Sequence, residues 1–160
     1  MIPIILGAVA LAGAAIYGVS EAIKEEEKRK QEEEKRILAS GIYEVDQMSG
    51  KEFEKLLSLL FRKTGYEVSL TPDTQDYGAD LILYKNGLKT VVQAKRSKNP
   101  VSVKAVQEVA SAVRHYKANK AIVVTNNRFT KNAFNLAYSN EVQLWDRNKL
   151  IKFMLDSKNI

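Results

Sequence analysis

The 160-residue chain has no cysteine, a single histidine, three prolines and one tryptophan. Without cysteine there can be no disulfide and no thiolate zinc site. With His115 alone, a cluster of imidazole ligands is excluded as well. Any bound metal must therefore be a hard, oxygen-liganded cation of the Mg2+ or Mn2+ kind. Charge is also missing in one place: residues 2–20, IPIILGAVALAGAAIYGVS, carry none. What remains is enough for one domain of ordinary size, with an appendage, and for a real buried core.

The charge that is present is unevenly spread. The chain is +6 overall; residues 1–40 hold six Lys/Arg against seven Asp/Glu, so the basic excess belongs to residues 41–160. A basic folded part favours a polyanionic partner, of which nucleic acid is the commonest.

Three segments follow from composition. As a helix, the uncharged run 2–20 would be about 28 Å long, close to the hydrocarbon thickness of a bilayer. Pro3 is tolerated in the first turn. The reading is a transmembrane helix over residues 1–20. A cleaved signal peptide is the rival, but it lacks a basic leading region, and a soluble buried helix is the plain alternative. Lys24, Lys28, Arg29, Lys30, Lys35 and Arg36 all follow the run, which puts the C-terminal domain in the cytoplasm and the chain in the cell membrane as a single-pass protein. Ala10, Ala14 and Gly18 form a small-residue stripe that could let two anchors pack as a homodimer. Residues 21–40 are charged without an apolar seam and read as a solvated helical stalk with i,i+4 pairs such as Glu25–Arg29.

Residues 41–160 read as the folded domain. Ser49 followed by Glu52 is a capping-box signature, and Phe53, Leu56, Leu57, Leu60 and Phe61 mark the apolar face of a helix that Gly65 ends. GYEVSL is a strand. ADLILYK and LKTVVQAK flank Asn86-Gly87, the strongest short hairpin signal. Ser102 opens a helix with Val103, Val106, Val109, Ala110 and Val113 on its apolar side. AIVVT is a strand, Thr130 opens a helix with Ala133, Phe134 and Ala137, VQLW is the last strand, and Asp146 caps a terminal helix. The order is α-β-β-β-α-β-α-β-α, an α/β fold with a mixed central sheet flanked by helices. His115 reads as a surface or packing residue and Trp145 as core.

The hairpin also gathers polar groups. With Asn86 and Gly87 as the loop, Lys85 faces Leu88, Leu83 faces Thr90, and Asp80 faces Gln93; opposed Cβ atoms lie about 4.5–5.5 Å apart. Lys95, two residues further, shares that face. An acid, an amide and an amine at one strand end suit phosphodiester hydrolysis. Asp80 and the Gln93 oxygen would ligate a cation, and Lys95 would hold the attacking water or stabilise developing charge. One acid and one amide hold Mg2+ weakly, so a second carboxylate is needed. Glu54, at the rim of the first helix's apolar face, is the candidate. A solvent-facing strand end with no function is the competing reading of the same residues.

With these pieces in place, residues 41–155 resemble the Mrr-like restriction endonuclease domain of the PD-(D/E)xK nuclease superfamily. The matching stretches are GKEFEKLLSLLFRKTGYEV, DYGADLILYKNG, VVQAKR, AVQEVASAV, AIVVTNNRFTKNAFNLA and VQLWDRNKL. The resemblance implies a restriction-endonuclease-like αβββαβ core and a divalent-metal DNA endonuclease. Within it Asp80, Gln93, Lys95 and Glu54 are the catalytic residues, and Asp80, Gln93 and Glu54 hold Mg2+ or Mn2+. Gln93 stands where the wider superfamily has Glu, which lowers the site's negative charge by one. Gln75 stands where the similar stretch has Gly. Asp76 is an auxiliary acid or a turn residue, and Gln107 either touches the site or is a plain helix residue. Lys63, Arg96, Lys98, Lys104 and Arg128 are candidates for contacts to a DNA backbone. The expected function is a membrane-anchored, metal-dependent DNA endonuclease. The alternatives are a non-cleaving nucleic-acid-binding module of nuclease fold, and a membrane protein whose domain contacts only protein partners.

Overall fold

The structure, a computed structural model, describes residues 2–38, 40–74 and 77–159, with the side chains of residues 2–12, 35, 37 and 38 outside the description. Gln75 and Asp76 thus lie outside the described residues. The chain forms two compact units, Met1–Ala39 and Ser40–Ile160.

The first unit is one helix, α1 (Ile2–Leu38), which carries both the uncharged run and the charged segment without a break. Among the described residues no helix is long and apolar enough to cross a membrane. Much of the expected span, residues 2–12, has its side chains outside those described.

The second unit opens with a short helix that the sequence pattern did not announce, α2 (Ile42–Val45). Helix α3 (Gly50–Lys63) begins on the reciprocal box: Glu52 N donates to Ser49 Oγ at 3.1 Å and Ser49 N to Glu52 Oε1 at 3.5 Å. It ends on Gly65 at φ +96°, with Tyr66 N donating to Phe61 O and Gly65 N to Arg62 O. That pair of bonds needs a left-handed residue, which glycine adopts without strain.

Strands β1 (Glu67–Leu70), β2 (Leu81–Lys85) and β3 (Leu88–Lys95) form an antiparallel meander. Asn86 and Gly87 both have positive φ, as a two-residue reversal requires. Helix α4 (Val103–Tyr116) then leads to β4 (Lys120–Thr125), and α5 (Lys131–Ser139) to β5 (Val142–Trp145), each added in parallel. Helix α6 (Arg147–Ser157) closes the chain. The sheet runs β1-β2-β3-β4-β5, so the expected element order and mixed sheet are present.

Side-chain alternation decides the layers. Ile82, Val91, Ala121, Val123 and Val142 pack with Ala105, Val106, Val109 and Ala112 of α4 and with Ala133 and Ala137 of α5. Phe53, Leu56, Leu57, Leu60 and Phe61 of α3 are buried elsewhere in the core, as are Leu150 and Met154 of α6. Trp145 sits in an aromatic group with Phe61 and Phe153. Two local expectations change. Ser102 occupies the N-cap position of α4 but its side chain makes no capping bond. Phe134 is 50% exposed, because α5 turns Ala133 and Ala137 inward and leaves Phe134 edge-on to Phe129. His115 is a surface residue stacked on Tyr77, with ring centroids 3.7 Å apart.

Candidate functional site

The β2–β3 ladder keeps the predicted register from Lys85–Leu88 to Leu81–Val92 and stops there. Asp80 is not a further rung opposite Gln93. Its N–H donates to Val92 O at 2.8 Å, and its Oδ2 accepts the Ala94 N–H at 2.8 Å. The carboxylate thereby replaces the missing backbone partner of β3 and is held at the strand end. A neighbouring loop residue, Thr71, is tied to the same place through Oγ1 to Ala79 O at 2.7 Å.

Asp80, Gln93 and Lys95 nevertheless share a cleft of about 470 Å³ with Glu54, Gly78, Ala94 and Glu108. Burial, followed by the charges of Asp80 and Asp73, pushes the Glu54 carboxyl up to about 7; Lys51 opposes the rise and a hydrogen bond with Asp80 adds to it. Lys51 is itself paired with Asp73. Two acids thus crowd one another, and burial with the neighbouring negative charge favours the protonated form of Glu54.

Glu108 was not anticipated. Its Oε2 accepts from Gln93 Nε2 at 2.8 Å and lies 3.3 Å from Lys95 Nζ. Gln107, the residue the pattern suggested, is exposed. One residue is about 100° of helix rotation; with Val106 and Val109 buried against the sheet, the intervening position that reaches the cleft is 108. The available signal was a carboxylate set between two inward-facing valines. Gly78 fixes the approach: at φ +88°, a Cβ there would meet Glu108 O at 2.1 Å, so the loop before β2 rests directly on the α4 backbone.

The donor chemistry fits a hard divalent cation. Glu54 and Asp80 supply anionic oxygens. Gln93 is only 4% exposed, and its Oε1 is buried with no hydrogen-bond donor. An orphaned amide oxygen on a residue that lines the same cleft as two carboxylates is what a cation would satisfy. Among the described residues no group of three or more His, Cys, Asp or Glu is gathered to hold a metal.

The sequence profile of the Mrr_cat restriction endonuclease family matches residues 45–154. The chain belongs to that family. No curated protein matches it. Among solved structures, the protein of unknown function AF1548 is 17% identical with TM-score 0.56, the match covering 66% of this chain and 65% of that one. The DNA modification-dependent restriction endonuclease AspBHI is 20% identical with TM-score 0.57, covering 79% and 36%. The MspJI restriction endonuclease in complex with a 27-mer oligonucleotide is 22% identical with TM-score 0.49, covering 63% and 26%. The chain spans less than two thirds of the length of each.

In this Mrr-family domain the basic candidates separate. Lys104 lines a cleft of about 290 Å³ that shares Lys95 and Glu108 with the acidic one. Lys98 and Arg128 line a third, of about 420 Å³, with Asn126, Asn127, Arg147 and Asn148; Pro100 borders both basic clefts. Arg96 is half-buried, lines the same cleft as Lys104 and donates through Nη1 to Asp46 O at 3.4 Å. Lys63 lies at the other end of α3, about 13 Å along the axis from Glu54, next to Thr64, whose carbonyl accepts from Lys85 at the hairpin turn. Helix direction therefore takes it away from the cleft.

Behind the basic clefts sits a network the pattern did not reveal. Arg147 grips Asp46 with two bonds, 2.8 and 3.0 Å, and also donates to Asn126 O. Asn126 Nδ2 bonds Asp46, and its Oδ1 takes the Ser97 N–H. The Arg147 bonds hold the Asp46 carboxyl below its ordinary range against the opposing effect of burial.

Proposed function

We propose that the chain is a divalent-metal-dependent DNA endonuclease that hydrolyses phosphodiester bonds at the Glu54–Asp80–Gln93–Lys95 cleft. The observation that carries this reading is the convergence of two carboxylates, an orphaned amide oxygen and an ammonium on one cleft of a restriction endonuclease family domain. Mg2+ or Mn2+, when bound, would polarise the scissile phosphate and favour an ionised water at neutral pH. Glu54, Asp80 and Gln93 Oε1 would hold the ion. Lys95 would donate to the attacking water or to the phosphate oxygen that gains charge in the transition state. Lys104, on a cleft that shares Lys95 and Glu108 with this one, and Lys98 and Arg128, on a further cleft that shares Pro100 with the Lys104 cleft, would carry the DNA backbone.

The test is incubation of the chain with plasmid DNA and Mg2+ or Mn2+. Lys95→Ala is expected to cut at least about a hundredfold more slowly, as for loss of a transition-state donor; equal cutting refutes the assignment. Salt-dependent binding with no cutting in any divalent metal would favour the non-cleaving module instead.

Anchoring by residues 2–20 in the cell membrane, with the domain in the cytoplasm, belongs to the same proposal. It is supported by the absence of charge in that run and its continuity within one helix. Self-association through Ala10, Ala14 and Gly18 is its companion. Recovery of the full chain in the soluble fraction at ordinary salt would refute the anchor.

A further inference from the structure

An amide has two chemically opposite ends, and only its oxygen can ligate a hard cation. At Gln93 the choice between them is made by one neighbour. Nε2 donates to Glu108 Oε2 at 2.8 Å, and Oε1 is left buried and without a donor. Reversing the amide would set its carbonyl oxygen against a carboxylate at that distance, two acceptors with no proton between them. The same Glu108 oxygen lies 3.3 Å from Lys95 Nζ. The plainer reading, that Glu108 is a helix-surface acid paired with Lys104, is the weaker one: that pair is 4.0 Å apart and the Lys104 side chain is largely exposed, a contact worth little. The position of Glu108 is further set by Gly78, whose close approach to the Glu108 carbonyl leaves no room for a side chain.

The geometry points to Glu108 as a positioning residue: it holds the Gln93 amide with its oxygen toward the cation site and keeps Lys95 on the same side of the cleft. In a site with an amide where a carboxylate would serve in either orientation, such a partner is needed. A carboxylate presents the same atom whichever way it turns, and an amide does not. This rests on the metal-dependent reading above and adds a residue to it.

The test is Mn2+ binding to the full chain by calorimetry, without DNA, for the parent, Glu108→Ala and Glu108→Gln. Both variants remove the same charge, but only Gln keeps an acceptor oxygen for the two donors. Glu108→Ala should weaken Mn2+ binding by about tenfold or more, as for loss of an outer-shell partner, and Glu108→Gln should recover most of that loss. Equal losses in the two variants would make the effect one of charge and overturn the inference. Undiminished binding by Glu108→Ala would overturn it too. A parent that binds no Mn2+ would sink the metal-dependent reading together with this one, whereas a binding parent with an indifferent Glu108→Ala would sink this one alone.

Discussion

Glu54→Gln should make the metal-free protein more stable at neutral pH while abolishing its cleavage. The Glu54 carboxyl is held at about 7 in the fold against an ordinary value of 4.5. Between those two pH values the folded chain keeps a proton that the unfolded chain has released, so stability falls as pH rises across the window and levels off above it. Unscreened, that difference would cost about 3 kcal/mol. Glu54 is only half-buried at the edge of a cleft, so solvent screening brings the expectation to about 1–2 kcal/mol. The glutamine variant has nothing to ionise and escapes the cost. Thermal or urea unfolding of parent and variant in EDTA, from pH 4.5 to 8, should give coincident stabilities at the acid end and a gap opening toward pH 8. A gap of that size is several degrees in Tm. Added Mn2+ should narrow or reverse the order, because binding stabilises only a chain that can bind. Parallel curves for the two proteins, with no widening between pH 5 and 8, would refute the crowded-carboxylate description of the site.

Gly78→Ala should destabilise by about 2 kcal/mol or more, since it combines a left-handed backbone with a clash against Glu108 O; thermal unfolding reads it, and cleavage should fall with it. Arg147→Ala should cost about 2 kcal/mol at neutral pH by leaving Asp46 without its two charge-assisted bonds. The Asp46 contribution is present above the ordinary carboxyl range and is lost as pH falls through its depressed folded value. Acid unfolding should therefore distinguish parent from variant less and less as pH drops. Lys98→Ala and Arg128→Ala should each weaken DNA binding uniformly across sequences and reduce the salt slope by about one, measured by fluorescence anisotropy at several salt concentrations. Lys63→Ala should leave both unchanged.

Much of the fold was legible because its signals are local. A serine and a glutamate three residues apart make their box within one turn, and a glycine after the last apolar position ends the helix, whatever the rest of the chain does. Asn86-Gly87 sets the β2–β3 register because two left-handed residues reverse the chain in one way only. Glu54, Asp80, Gln93 and Lys95 do line one cleft, although the rung expected between Asp80 and Gln93 is not formed. The means by which Asp80 is held there was not legible: its carboxylate replaces a backbone partner on the neighbouring strand.

The sequence by itself determined the order of the main elements, the capped starts of α3, α5 and α6, the pairing of the hairpin near its turn, and the chemical type of the groups at its end. The tertiary structure alone decided which side of α4 meets the sheet, and so made Glu108 rather than Gln107 the partner of Gln93 and Lys95. It decided that α3 carries Lys63 away from the cleft that Glu54 lines, and that Asp46 and Arg147, 101 residues apart, meet at all. The division has one cause. Caps and turns are settled by bonds within a few residues of each other, whereas the phase of a helix against a sheet is settled only when both apolar faces are buried together.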